Sequence, residues 1–244
     1  MTGRTIRSFE RGKIAQHERG SNMRVGKIVL KSGSKMGKFI SWAFVLALGI
    51  LWALKPGVAA ENSPLDPAAK RVEGFYTVLL DSMRRATELG VQGRYKVLEP
   101  AVDAAFDVPE MTRLTVGPAW TTISEPDRQK VIAAFRRMTI ANYAANFDDY
   151  GGQQFSVDPN VVERNGEKIV RSQMRTPDGK TPIPFVYRMH ASGDGWKAVD
   201  VYLNGVISQL AARRADFSST LQSGGASLLA EKVNGLADNL VKPK

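Results

Sequence analysis

Beyond residue 60 the chain first carries apolar residues at helical spacing. Between Ala68 and Leu89 they recur every three or four positions, which makes one helix face apolar and the opposite face polar. Gly90 and Gly93 follow, and glycine commonly ends a helix. The pattern predicts one amphipathic helix over 68–89 and a shorter one over 95–106.

Two further helices are indicated by their start signals. Asp107 stands where it can cap a helix over 109–116. Ser124-Glu-Pro-Asp127 is a capping pattern, with an acidic residue three positions after the serine and proline in the first turn. The helix that begins there is predicted to extend to about Asp149.

From residue 153 the apolar period changes to two, which is typical of strands. Strands are predicted over 153–157, 167–175, 182–190 and 196–203, and the sequence leaves open an extension of the first strand past Pro159 to Glu163. Asn165-Gly166 favours a type I′ hairpin turn. Links this short cannot form parallel crossovers, so the four strands are predicted to form an antiparallel meander.

The end of the chain returns to helical spacing. Asn204-Gly205 is expected to break the sheet, and two helices are predicted over 206–217 and 225–240. Helices, then a meander, then helices indicate an α+β domain in which N-terminal and C-terminal helices cover one face of the sheet.

The alternation within the strands predicts which side chains face the helices. In the third strand Phe185, Tyr187 and Met189 share a side, and in the fourth Val199 and Val201 do. A sheet with one apolar face needs a cover, which the amphipathic helices supply.

Large apolar side chains are frequent on the surfaces expected to face each other. On the helices and the third strand they are Met83, Met111, Phe135, Met138, Phe147, Phe185 and Met189. Such residues can form an ordinary packed core or line a cavity, since methionine adapts to irregular spaces. Periodicity alone does not decide between the two and favours the packed core.

The N-terminal segment has the organisation of a secretory signal. Residues 39–54 are sixteen residues without a charge, preceded by several lysines and followed by Pro56-Gly57 and the small residues Val58 and Ala60. A helix of sixteen residues spans about 24 Å, short of a hydrocarbon core of about 30 Å. We predict cleavage after Ala60, which leaves residues 61–244 as a single domain; an uncleaved anchor is the alternative.

The positive charge of the chain belongs to this segment. Residues 1–60 hold 11 Lys and Arg against 2 acidic residues, whereas residues 61–244 hold 23 against 22. A nucleic-acid-binding domain normally carries its own basic face. The near-neutral balance of the mature part therefore argues against nucleic acid as a partner.

The mature part offers few groups for catalysis or metal binding. The chain has no cysteine, and His190 is the single histidine after residue 60. No cluster of His, Asp or Glu has metal-ligand spacing, so no metal, cofactor or catalytic residue is predicted. His190 and Asp200 remain the candidates for an enzyme, and each is more simply explained as a turn-proximal or structural residue.

Several motifs, taken in order, resemble the MlaC-type (toluene-tolerance auxiliary) lipid-binding proteins. They are Gly117-Pro-Ala-Trp120, Ser124, Gln129, Phe135, Tyr143, Tyr150-Gly151-Gly152, Gly195-Trp196-Lys197, Asp200-Val201 and Asn204-Gly205-Val206. The resemblance covers about residues 66–235. Ile207 departs from the serine usual after Gly-Val, and the following 207–217 with Ser223-Gly-Gly-Ala226 resembles the branch associated with hopanoid biosynthesis.

The resemblance implies a periplasmic carrier with an apolar pocket between sheet and helices. Such a carrier would shuttle phospholipid or hopanoid between an inner-membrane ABC-type transporter and an acceptor at the outer membrane. The residues expected to contact lipid tails are Met83, Met111, Phe135, Met138, Phe147, Phe185, Tyr187, Met189, Val199 and Val201. Lys197, Arg213 and Arg214 are possible contacts for a head group or partner.

Two other functions stay open at this stage. One is a small envelope enzyme that acts on a lipid or isoprenoid through Asp200 or His190. The other is an interaction module tethered to the membrane by an uncleaved segment 39–54.

Overall fold

The structure is a computed structural model that describes residues 64–193 and 195–242. The predicted signal segment and its cleavage position, residues 1–60, lie outside the described residues. The first helix of the described part, α1, comprises Pro67–Arg84, and the second, α2, comprises Ala86–Ala105. Asp66 caps α1, because its side chain accepts a hydrogen bond from the backbone N–H of Ala68.

The predicted single helix over 68–89 is therefore wrong. Helix α1 ends one turn earlier, where Arg85 leaves helical geometry, and the helix predicted over 95–106 is the second half of α2. Gly90 interrupts the helical backbone of α2 rather than ending the preceding helix. Helices α1 and α2 pack against each other on either side of Arg85, and the spacing of apolar residues in the sequence does not show this break.

The next helices begin where the capping residues predict. Helix α3 comprises Val108–Val116, a 3₁₀ helix comprises Gly117–Thr122, and α4 comprises Glu125–Asn146. The side chain of Asp107 accepts from the N–H of Glu110, and that of Ser124 accepts from the N–H of Asp127. Both predicted N-caps are confirmed.

The described strands form one antiparallel sheet. They are β1 (Gln154–Val157), β2 (Val162–Arg164), β3 (Glu167–Arg175), β4 (Ile183–Ser192), β5 (Gly195–Leu203) and β6 (Ile207–Ser208). Strands β3, β4 and β5 follow one another in the sheet, with β6 on the outer side of β5 and both β1 and β2 on the outer side of β3. The α+β class and the meander are confirmed, but the described sheet has six strands, not four.

The two additional strands have local causes. Strands β1 and β2 are two parts of one edge strand, which is interrupted at Pro159 because proline has no N–H to donate to the ladder. Asn204-Gly205 does not end the sheet, since both residues adopt positive φ and turn the chain into the short hairpin of β5 and β6. Asn165 and Gly166 have the same signs of φ, which agrees with the predicted hairpin turn.

The C-terminal helix α5 comprises Gln209–Leu240 and begins at the N-cap Ser208. Its backbone departs from helical geometry at Gly224 and Gly225, and Gly225 has a φ of 70°, a conformation that favours glycine. The two predicted helices over 206–217 and 225–240 thus meet end to end. The first starts later than predicted, because Val206 and Ile207 belong to the hairpin.

One face of the sheet is covered by helices. Helix α1 lies against β1, β3 and β5, while α2, α3 and α5 also contact β5. Helix α4 packs on α2, α3 and α5. The inward residues of β4 are Phe185, Tyr187 and Met189, each at most 8% exposed, so the predicted face of this strand is confirmed.

Candidate functional site

The space between the sheet and the helices holds one continuous cluster of buried apolar side chains. Of the residues predicted from the sequence, it contains Met83, Met111, Phe135, Met138, Phe185, Tyr187, Met189 and Val201. Phe147 is half-buried and packs against the cluster. The tertiary structure therefore brings these residues, which are far apart in sequence, into one apolar interior.

Val199 is buried, at 1% exposed, but it does not belong to this cluster. The register between β4 and β5 shifts at a β-bulge: Arg188 pairs with Asp200, whereas Met189 pairs with Ala198. Val199 is the extra residue of the bulge, and Ala198 takes the inward position opposite Met189. An extra residue reverses the alternation of every side chain before it, which counting by twos along β5 cannot detect.

Aromatic rings make up much of the interior near the sheet. Phe75 of α1 lies edge-on to Phe106 at 5.1 Å and to Tyr143 of α4 at 4.9 Å between ring centroids. Tyr76 stacks on Phe155 of β1 at 4.3 Å. Such contacts add to the free energy gained by burying the rings. They connect α1, α4 and the sheet edge through side chains alone.

Three tyrosine hydroxyls lie within this apolar region. Tyr76 shares a hydrogen bond of 2.7 Å with the hydroxyl of Ser172 on β3, and Tyr187 is hydrogen-bonded to both Tyr76 and Tyr143. Burial raises the pKa of Tyr76 to about 12 and raises the pKa values of Tyr143 and Tyr187 as well. The phenols are therefore neutral at physiological pH, and they satisfy one another's polar groups.

Asp200 serves as a structural anchor for the start of α5. Its side chain is 3% exposed and accepts hydrogen bonds from the backbone N–H groups of Val201 (2.8 Å) and Leu210 (3.3 Å). The hydroxyl of Ser208 donates to its other oxygen at 2.6 Å. These bonds occupy both carboxylate oxygens, so the geometry supports the structural explanation of Asp200 over a catalytic one.

His190 is likewise held by a structural contact. Its Nε2 lies 2.8 Å from Oδ2 of Asp107, and the hydroxyl of Ser192 donates to the same oxygen at 3.1 Å. Ser192 contacts the carboxylate and not the imidazole, so the three residues lack the order in which a histidine activates a nucleophile. The other oxygen of Asp107 caps α3.

Asp107 makes the stability of this corner depend on pH. Burial raises its pKa, but hydrogen bonds from the Glu110 N–H, His190 and Ser192 outweigh this and leave the pKa below 3.8. A carboxyl whose pKa is lowered by folding stabilises the fold above its unfolded pKa of about 3.9, and this stabilisation disappears as pH falls through the folded value. We expect Asp107→Asn to be less stable than the native protein at pH 7.

The stability difference between the native protein and Asp107→Asn is expected to narrow as pH falls below about 5, because the carboxyl of the unfolded chain then takes up a proton before the folded one does. Urea denaturation at a series of pH values measures the free energy of unfolding of the native protein and of Asp107→Asn. Asp149→Asn, at an exposed position just beyond the end of α4, is the control for removing one carboxylate. A difference between Asp107→Asn and the native protein that stays constant down to pH 3 would contradict the role of the charge.

The cations considered for a head group are engaged by the protein. Lys197 donates to the backbone carbonyl of Asp103 at 2.9 Å, and Arg214 donates to the carbonyl of Leu114 at 2.5 Å. Arg213 lies 3.3 Å from the sulfur of Met138, and burial lowers its pKa. These contacts hold helices and strands together, so the structure gives the three residues a packing role.

Arg94 is a buried cation that sequence reasoning missed. Its guanidinium donates to the carbonyls of Ala144, at the end of α4, and of Ala86, at the start of α2, both at 2.9 Å. In the sequence, an arginine within a helical pattern resembles any charge that faces solvent. Its partners are backbone carbonyls, which no side chain marks, and one of them lies 50 residues away. Nothing in the local pattern therefore distinguishes it.

Within residues 64–193 and 195–242, no group of three or more His, Asp or Glu is close enough to hold a metal ion. In the same part of the chain, no helix combines the length and apolar character required to cross a membrane.

Two grooves open on the helical side. The first, of about 400 Å³, lies between α1 and α2. The second, of about 620 Å³, lies between the 3₁₀ helix and the break in α5 and is lined by residues including Ile123, Leu221 and Ala226. Both are open to the surface, whereas the predicted lipid contacts lie in the interior beneath the helices.

The fold and the interior define a class of protein: an α+β domain whose helices and one sheet face enclose a layer of methionines and aromatic rings. The chain belongs to the MlaC protein family, whose sequence model matches residues 76–235. The resemblance seen in the sequence is thereby confirmed for the family, and the hopanoid-associated branch stays a prediction.

A solved structure shares this fold. It is the phospholipid-binding protein from Ralstonia solanacearum in complex with a phospholipid, which is 19% identical in sequence and has a TM-score of 0.63. The match covers 72% of this chain and all of the Ralstonia chain. A search of curated proteins found no match.

Proposed function

We propose that this protein is a lipid carrier that holds lipid tails in the apolar interior between the sheet and the helices. The observation that carries the proposal is the continuous cluster of methionines and aromatic residues, with Met83, Met138 and Met189 contributed by three different elements. Family membership and the phospholipid bound to the structural relative support it.

The physical need for a carrier is large. Transferring a sixteen-carbon tail from an apolar environment to water costs on the order of 12 kcal/mol, at about 0.8 kcal/mol per CH₂. A protein that replaces water by apolar walls removes most of this barrier without covalent chemistry. Methionine side chains suit such walls, because they are unbranched and adapt to a mobile tail.

The remaining polar groups favour binding over catalysis. Asp200 has both oxygens occupied at the start of α5, and His190 is paired with the helix-capping Asp107. An enzyme acting on a bound lipid would need a reactive group beside it.

The proposed setting is the periplasm, with the segment up to Ala60 removed on export. Members of the MlaC family are periplasmic, which supports this location. There the protein would receive lipid from, or deliver it to, an inner-membrane ABC-type transporter, with an outer-membrane acceptor as the other partner. Phospholipid and hopanoid are the two ligands proposed.

Native mass spectrometry tests the proposal directly. The full 244-residue sequence is expressed in a hopanoid-producing bacterium, and the exported protein is purified without detergent. We expect a protein mass that begins at Glu61 together with a bound mass equal to a phospholipid or a hopanoid. A lipid-free mass that persists after incubation with envelope lipids would contradict the carrier.

Neighbouring residues of β4 provide a sharper test of where the lipid lies. Phe185 faces the interior, whereas Val186 faces the outer side of the sheet. With the photoreactive residue p-benzoylphenylalanine at position 185, we expect illumination to cross-link the protein to co-purified lipid. At position 186 the same residue has the same reactivity but no apolar interior beside it, so little cross-linking is expected.

Cross-linked lipid is identified by the mass of the modified peptide. Equal cross-linking at the two positions would show that the lipid does not lie in the interior beside Phe185, even if mass spectrometry shows that the protein binds lipid. A circular dichroism melt of each variant shows whether it folds as the native protein does.

A further inference from the structure

The groove between α1 and α2 has a cationic end and an apolar end. On α1 its lining begins with Pro67, Lys70 and Arg71 and continues with Gly74, Phe75 and Val78. On α2 it is formed by Ala101, Ala104 and Ala105. At 1.5 Å per residue the lining of α1 extends over about 16 Å. The groove is therefore charged at one end and apolar at the other, as a lipid with a charged head group and an apolar tail is.

Within residues 64–193 and 195–242, no carboxylate forms an ion pair with the two cations at the N-terminal end of the groove. Lys70 and Arg71 are exposed, and neither makes an ion pair or side-chain hydrogen bond with another residue of 64–193 or 195–242. On these helices Asp66 is engaged with Lys168 at 2.7 Å and Asp103 with Arg136, whereas Glu73, the carboxylate nearest in sequence to Arg71, is exposed and makes no ion pair within the described residues. Among the described residues, no carboxylate lines the groove.

The groove and the apolar interior share two of their residues. Phe75 and Ala105 line the groove and also belong to the buried cluster. The ring of Phe75 lies against Phe106 and Tyr143, the aromatic residues of the interior. Phe75 therefore contacts both the groove and the aromatic residues of the interior.

We propose that this groove is the mouth through which the lipid enters and leaves the interior. Lys70 and Arg71 bind the phosphate of the head group, and an acyl chain lies along Gly74 and Val78 and passes the ring of Phe75. This assignment rests on the proposed carrier function and adds to it the position of the opening and the charge of the ligand: a lipid with an anionic phosphate.

Gly74 allows the groove to be blocked without disturbing the fold. A β-carbon at Gly74 would have no neighbour within 4 Å, and the same is true at Gly235 of α5, far from the groove. Because the chain has no cysteine, Gly74→Cys and Gly235→Cys each introduce a single thiol that can be modified after folding. A bulky maleimide on the folded protein then fills the groove in the first variant and not in the second.

The experiment measures transfer of pyrene-labelled phosphatidylglycerol between vesicles of phosphatidylglycerol and phosphatidylethanolamine. The exported protein is used in native form, as Gly74→Cys and as Gly235→Cys, each before and after maleimide modification. We expect modification of Gly74→Cys to reduce transfer to the rate without protein, while modified Gly235→Cys transfers as the native protein does. We also expect bound lipid to slow the reaction of maleimide with Gly74→Cys only.

A second set of variants tests the contact of Lys70 and Arg71 with the head group. Replacing both cations, as Lys70→Gln with Arg71→Gln, is expected to slow transfer of phosphatidylglycerol about tenfold, the effect of losing one charge-assisted contact of about 1.4 kcal/mol. The matched control is Lys96→Gln with Arg171→Gln, which removes two exposed cations that do not line the groove. Glycerol phosphate, which has the head-group anion without a chain, is expected not to compete.

The outcomes separate the two proposals. If the native protein carries and transfers no lipid, the carrier function and the mouth both fail. If the native protein transfers lipid and modified Gly74→Cys transfers it equally well, the carrier stands and the mouth is overturned. Competition by glycerol phosphate as strong as that by the lipid would make the groove a site for a free anion.

Discussion

Replacing Phe135 with alanine is expected to lower the free energy of unfolding by about 4 kcal/mol. Phe135 of α4 is 2% exposed, and its ring lies edge-on to Phe217 of α5, with 6.0 Å between centroids. Alanine would leave a cavity at the place where these two long helices pack on each other. The loss comprises the transfer free energy of the ring and the cost of the cavity.

Urea denaturation of the exported protein measures this effect, with Phe135→Leu as the control that retains most of the volume. Leucine is expected to cost about 1–1.5 kcal/mol. Combining Phe135→Ala with Phe217→Ala gives a double-mutant cycle, in which a coupling of about 0.5–1.5 kcal/mol is expected for an edge-on aromatic pair. Additive losses would show that the two rings do not stabilise each other.

Replacing Asp200 with alanine is expected to lower the free energy of unfolding by about 3 kcal/mol. The substitution removes the acceptor for two backbone N–H groups, those of Val201 and Leu210, and for the hydroxyl of Ser208. Because Asp200 is 3% exposed, water cannot easily replace it. Each buried donor left without an acceptor costs about 1–3 kcal/mol.

Asparagine provides the test of this explanation. Asp200→Asn retains one carbonyl oxygen for the two backbone donors, so it is expected to lose only about 1 kcal/mol. Thermal melts followed by circular dichroism, with Ser208→Ala as a third variant, compare the contributions. Equal losses for Asp200→Ala and Asp200→Asn would show that the negative charge, and not the acceptor geometry, stabilises the start of α5.

Asp200 and Phe135 belong to the part of the protein that is expected to stay rigid when lipid enters. Asp200 and Phe135 both hold the part of α5 before its break at Gly224, the first at the start of the helix and the second through Phe217. A carrier needs such a rigid frame, because a tail can enter the interior only if the walls separate locally while the remaining contacts hold. The aromatic residues between α1 and the sheet are the part proposed to yield.

Short-range features of the fold could be predicted with accuracy. The N-caps at Asp107 and Ser124 were recognisable because a side chain contacts an N–H only three residues away. The hairpin at Asn165-Gly166 was recognisable because both residues tolerate positive φ. In each case the decisive interaction lies within four residues of the signal.

Features that depend on distant contacts were predicted less well. The bulge at Val199 reversed the expected face of the first part of β5, since its cause is pairing with β4 and not the composition of β5. The division of the first predicted helix at Arg85 and the burial of Arg94 also depend on helices that meet only in the folded chain.

The sequence by itself determined the α+β class, the order of helices and strands, and the set of large apolar residues that turn inward. These follow from periodicity, capping and turn chemistry, which act over a few residues. Only the tertiary structure decided that those residues form one interior, that Lys70 and Arg71 end a groove, and that Phe75 stands between the groove and the interior. Such relations are set by how helices and strands pack, and packing depends on pairs of residues far apart along the chain.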